Sequence, residues 1–174
     1  MSAKKEIDVS RRNLLFGAFR RLRGEEAEGR PQARSSETLP LLNEANAAFD
    51  SGDFAAATPK YRELLQKEPE NREARRRLGR CLYAEGKFVQ AKVEFERVLR
   101  ADREDNEAWL FLGLTLARGG SPAKAVSVWK NFKDMRNVPL VREINLQAAL
   151  LEESEEPDGI RIADAVESVL RNPA

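Results

Sequence analysis

The chain has 174 residues, 34% charged and 41% hydrophobic, with 30 Lys and Arg against 29 Asp and Glu. That composition supports a folded core and gives no bulk positive charge, so neither a disordered chain nor a nucleic-acid partner is expected. Histidine is absent and Cys81 is the one cysteine, which removes the commonest general base, internal disulfides and His- or Cys-built metal sites; no cofactor, no metal and no enzymatic activity are expected.

Residues 1–36 differ in kind from the rest of the chain. The first 23 residues carry seven Lys and Arg and two acids, net +5. Ser10, Arg11, Arg12, Asn13, Leu14 and Leu15 resemble a twin-arginine export signal. The apolar stretch at 14–19 is only six residues long, contains Gly17 and runs into Arg20, Arg21, Leu22 and Arg23. An export signal has an apolar core of about 7–15 residues and a small-residue cleavage site, so export is not expected and the chain is read as cytoplasmic. Nor does any stretch approach the roughly 18–20 apolar residues of a membrane-spanning helix. As a helix, the segment sets Leu14, Leu15, Ala18, Phe19 and Leu22 on one stripe flanked by arginines. Such a stripe suits a peripheral membrane contact through residues 10–23, docking on a protein groove, or folding back on the first repeat. Arg11, Arg12, Leu15, Phe19 and Leu22 are its docking candidates. Residues 24–36 lack apolar periodicity and read as a flexible linker.

From residue 37 to 139 the sequence repeats itself every 34 residues. Gly52, Gly86 and Gly120 share one register; so do Ala57, Ala91 and Ala125; Tyr61, Phe95 and Trp129; and Leu64, Val98 and Phe132. Leu78 and Gly79 recur as Leu112 and Gly113. Apolar residues at helical spacing on either side of each glycine predict two helices per unit, over 38–71, 72–105 and 106–139. Gly86 stands where a helix end needs a left-handed residue. Ser121 is placed to cap the next helix and Pro122 to open it, while Pro69 and Pro139 fall between units. Small residues are expected where paired helices cross, and Tyr61, Phe95 and Trp129 between one hairpin and the next. Cys81, inside a helix, reads as a small buried hydrophobe.

These residues resemble the tetratricopeptide repeat. Ala45, Phe54, Ala57, Tyr61, Leu64 and Pro69 match its pattern in the first unit. Leu78, Gly79, Leu82, Phe88, Ala91 and Phe95 match in the second, and Trp109, Leu112, Gly113, Leu116, Ala125 and Trp129 in the third. Arg75 and Pro122 stand where the family has large apolar or aromatic residues, and Arg103 and Asn137 where it has proline. The resemblance implies an all-α solenoid, a right-handed superhelix of three helix-turn-helix units, and a noncatalytic role in binding other proteins.

Residues 140–174 continue the register imperfectly and are expected to form a degenerate fourth hairpin that caps the stack. Ile144, Leu146, Ala149, Leu150 and Leu151 make one helical stretch; Ile160, Ile162, Ala163, Val166, Val169 and Leu170 make another. From 137 to 174 there are eight acids and three arginines, net −5, which suits the polar outer face of an end repeat. Glu152, Glu153, Glu155 and Glu156 read as a solvated acidic run and not as a metal or acid–base cluster.

Function is expected in the concave groove that the first helices line. The resemblance assigns to that groove Asn43, Asn46 and Phe49 from the first unit, Arg76, Arg77, Arg80 and Tyr83 from the second, and Leu110, Phe111, Leu114 and Arg118 from the third. Arg76, Arg77 and Arg80 share one helical face and would bind carboxylates with paired hydrogen bonds. Leu110, Phe111 and Leu114 would provide an apolar floor. The expected partner is a protein, through an acidic or C-terminal peptide segment or an amphipathic helix; the competing reading is a solvated arginine face paired with Glu73 and nearby acids. Some family members clamp a chaperone's terminal carboxylate. Only Asn46 fits that clamp here, with Leu42, Arg77, Glu107 and Phe111 departing from it, so that role is not expected. A membrane-peripheral assembly or maturation factor, using the basic N-terminal helix, is the alternative to an adaptor or scaffold.

Overall fold

Backbone with positive φ is needed three times at one spacing, at Gly52, Gly86 and Gly120, where φ is 79°, 73° and 78°. At each turn the glycine N–H bonds back three residues and the next N–H bonds back five. Gly86 reaches Tyr83 O at 3.0 Å, for example, and Lys87 reaches Leu82 O at 2.8 Å. This pair of bonds satisfies the orphan carbonyls of a helix end around a residue that glycine alone supplies without strain. In the computed structural model, which describes residues 37–171 except 135 and 156, the turns join six helices into three hairpins. They connect α1 (Leu39–Asp50) to α2 (Phe54–Lys67), α3 (Arg72–Ala84) to α4 (Phe88–Ala101) and α5 (Asn106–Arg118) to α6 (Pro122–Trp129). Two more helices come after them, α7 (Val138–Glu153) and α8 (Gly159–Arg171). No strand occurs among the described residues. The chain separates into two units, Met1–Ser35 and Ser36–Ala174; every described residue belongs to the second.

Helix starts are set by Asp and Asn. Asp53, Asn71, Asp105 and Asn137 accept the backbone N–H of Ala56, Ala74, Ala108 and Leu140 at 2.9–3.1 Å, each satisfying a donor that has no partner within the helix. Ser121 precedes α6 as expected, but its hydroxyl makes no capping bond.

The paired helices cross where the sequence keeps small residues. Ala57, Ala91 and Ala125 are buried. A Cβ placed on Gly79 would lie 2.7 Å from the Phe95 ring, and one on Gly113 would lie 2.0 Å from Trp129 Nε1. Phe95 and Trp129 therefore sit over the glycines of their own hairpins, where a missing side chain opens a slot, and not solely between hairpins as the sequence suggested. Phe95 also stacks on Phe111 of the next hairpin, with centroids 6.0 Å apart. Trp129 Nε1–H donates to Leu110 O at 3.0 Å, so its polar handle is satisfied inside the core. Helix α2 nests on α3 and α4 on α5, and the first helices α1, α3 and α5 are neighbours. Among the described residues this is the all-α solenoid that the resemblance implies, with the two helices per unit that the 34-residue period predicts. Arg75 takes a large apolar position by pairing with Glu94 at 2.9 Å and donating to Pro69 O at 2.5 Å.

The stack closes differently from a simple fourth repeat. Helix α6 has eight residues against fourteen in α2 and α4. Tight three-residue bonds, Asn131 N–H to Val128 O and Phe132 N–H to Trp129 O, end it early, yet Phe132 stays buried. Helix α7 rests on α6, while α8 turns back and packs on α5 as well as on α7. Gly159 at the start of α8 lies so near the end of α5 that a Cβ there would meet Ala117 O at 2.2 Å. Ile162, Ala163 and Val166 are the buried face of α8.

This packing leads to three measurable outcomes. Gly113→Ala is expected to destabilise the chain by about 1–3 kcal/mol in urea melts followed by circular dichroism, because overpacking against Trp129 outweighs alanine's helix preference. Cys81 is fully buried, and burial pushes its thiol up to about 11; it should react with a thiol reagent at mildly alkaline pH only after unfolding. Burial likewise pushes the Tyr61 hydroxyl from 10.0 up to about 12, against the opposing effect of Arg77. The folded state thus favours the neutral phenol. Its contribution is complete below the unfolded value and is lost as pH rises through the folded one. The loss of stability between these pH values should be smaller in Tyr61→Phe than in the wild type.

Candidate functional site

The first-helix face divides into an exposed part and a covered part. The exposed part is built by α1 and α3. Asn43 is exposed on α1. Asn46, one turn on, accepts from Tyr61 OH at 2.7 Å and from Arg77 Nη1 at 3.2 Å, so it ties α1 to α2 and α3 and does not stand free for a peptide backbone. Phe49 packs edge-on against Phe54 and Tyr61, with centroids 5.7 and 6.3 Å away. The guanidinium of Arg77 lies 5.2 Å from its ring centre and that of Arg80 lies 4.8 Å away. Arg80 also lies 4.9 Å from the Phe111 ring. It is therefore held between a ring of the first hairpin and a ring of the third, an arrangement that cation–π attraction favours.

Each arginine of this part also meets a carboxylate. Arg80 pairs with Glu107 at 2.9 Å, and Arg77 with Glu73 at 3.3 Å and Asp50 at 3.6 Å. Arg76 pairs with Asp105 at 3.0 Å. Its buried Nε is 3.0 Å from Glu107 but makes no directed hydrogen bond, so that contact counts as charge proximity alone. The arginine cluster read from the sequence is real as a cluster, and its charge is already balanced from within.

The covered part belongs to α5. Leu110 is 5% exposed and Leu114 0%; they are core, not an open apolar floor. Phe111 remains half-buried beneath Arg80 and against Tyr83. Arg118 pairs with Asp164 at 2.6 Å and Glu167 at 3.0 Å, and its Nε donates to Tyr83 OH at 3.1 Å. Tyr83 OH in turn donates to Glu167. The bonds that Arg118 donates to Glu167 hold it still more firmly protonated, and burial raises the Tyr83 hydroxyl well above its usual value. Tyr83 and Arg118 thus meet the chain's own last helix where an outside ligand was expected. Asp164 and Glu167 were missed by sequence reasoning. Their spacing on the polar side of a strongly amphipathic stretch was visible, but the helix they would reach was not.

Arg11, Arg12, Leu15, Phe19 and Leu22, the N-terminal docking candidates, lie outside the described residues. Among the described residues no helix is long and apolar enough to cross a membrane.

A family model described as tetratricopeptide repeat matches residues 48–115, from the end of α1 through most of α5. No curated protein matches the chain. The match takes in α2, the whole second hairpin and most of α5, and with them the turn glycines Gly52 and Gly86 and the crossing glycines Gly79 and Gly113. Over residues 48–115 the chain is therefore similar to the tetratricopeptide repeat, a family whose repeats generally mediate contacts between proteins.

Proposed function

We propose that the chain is a noncatalytic adaptor or scaffold that holds a segment of another protein across α1 and α3. The observation that carries this reading is the division of the first-helix face. Helix α8 covers α5, whereas Asn43, Phe49, Arg77 and Arg80 keep solvent-facing surface. Stacking on Phe49 and Phe111 fixes the guanidiniums before any ligand arrives, which lowers the ordering cost of binding. Each guanidinium still has N–H donors to offer. Because Asp50, Glu73 and Glu107 already neutralise the arginines, a run of acids gains little here. A bound segment that lays an apolar side chain on Phe49 and offers one carboxylate or main-chain carbonyl to Arg77 and Arg80 fits better. The same carboxylates disfavour a phosphate backbone.

Selection of a phage-displayed random peptide library on the full chain tests the reading. Selected peptides should bind Arg77→Gln with Arg80→Gln at least about tenfold more weakly than the wild type, with helicity unchanged. They should bind Lys124→Glu, altered at an exposed position of α6 away from this face, as tightly as the wild type. Peptides that bind the double variant undiminished would end this assignment.

A further inference from the structure

The arginines of α3 all face carboxylates of the same chain. Around one cleft on another surface the cations do not. Arg100, Arg103 and Lys133 line an opening of about 830 Å³ between the end of α4, the start of α5 and the loop after α6. None of the three has an ion-pair partner among the described residues. Leu99 and Leu112 lie buried at its base, and half-buried Trp109 lines it. Trp109 Nε1–H donates to Arg103 O at 2.8 Å, which fixes the ring against the loop. Glu96 and Glu104 also line the opening; Glu96 is paired with Lys92 at 3.2 Å, so unpaired positive charge is in excess.

A matching surface of opposite sign exists on the same chain. Glu143, Leu146, Leu150 and Glu153 succeed one another at helical spacing along α7 and share one face. Leu146 is 50% exposed and Leu150 49%. Among the described residues Glu153 is exposed and without a cation, and Glu143 accepts from Gln147 Nε2 at 2.7 Å and meets no cation. The stripe is apolar at its centre and acidic at both ends; the cleft is apolar at its base and cationic around it.

We propose that this face of α7 seats in the Trp109 cleft of a second copy of the chain, with the leucines over the indole and the glutamates against Arg100, Arg103 and Lys133. Each copy carries one stripe and one cleft, so a two-fold dimer makes the contact twice. The net charge of −5 over residues 137–174 steers the approach, and added salt weakens it. This inference is independent of the peptide face on α1 and α3.

Sedimentation of the full chain tests it. The wild type should show a concentration-dependent dimer whose dissociation constant rises with salt. Arg100→Glu with Arg103→Glu should weaken the dimer at least about tenfold, and so should Glu143→Arg with Glu153→Arg. An equimolar mixture of the two variants should dimerise again, because each contact then joins complementary charges. Leu146→Ser with Leu150→Ser, at exposed positions that leave the core intact, should also dissociate the dimer. A wild type that stays monomeric, or a mixture that fails to restore association, overturns the proposal.

Discussion

Close approach of two helices within each hairpin is the constraint on which the structure depends. At Gly79 and Gly113 there is no room for even a methyl group, because the Phe95 and Trp129 rings occupy that space. With the crossing fixed, α3 and α4, and α5 and α6, present one shared ridge to the next hairpin, and burial of Leu64, Leu82, Phe95 and Val98 results. Repetition of the crossing at one register makes the first helices neighbours. Only then do residues as distant in sequence as Phe49, Arg80 and Phe111 form one layer.

Charge on that layer is arranged to be satisfied locally. A guanidinium brought partly out of water must find carboxylates or rings, since leaving it unpaired costs more than pairing it returns. Glu107 answers Arg80, and Asp105 answers Arg76. Helix α8 applies the same chemistry at the far end, with Asp164 and Glu167 around Arg118. One face therefore shows two outcomes of a single rule: an arginine closed by a helix from the same chain, and arginines closed by nearby acids that leave their edges accessible.

Much of this was legible in the sequence because it is local and periodic. Gly52, Gly86 and Gly120 announce their turns, since positive φ excludes most other residues, and the alternation of small and large apolar residues announces the crossings. Arg77 and Arg80 were placed on one helical face by their spacing, and the resemblance to the tetratricopeptide repeat set Asn46 and Phe49 on the same groove. What was not legible depends on pairing across long sequence separations. Nothing in residues 159–171 states that they turn back to α5 and close over Arg118, and nothing around Leu110 and Leu114 states that neighbouring helices bury them. Nor does an arginine's position reveal which carboxylate it meets, and charge balance was the property that decided what the face can hold.

The return of α8 onto α5 has a mechanical consequence. In an open-ended array each terminal unit touches one neighbour and can peel away by itself. Here the last helix in the chain clasps the hairpin before its own, with Gly159 seated against Ala117. Fraying that starts at α8 must release that clasp before the α7–α8 pair can leave the stack.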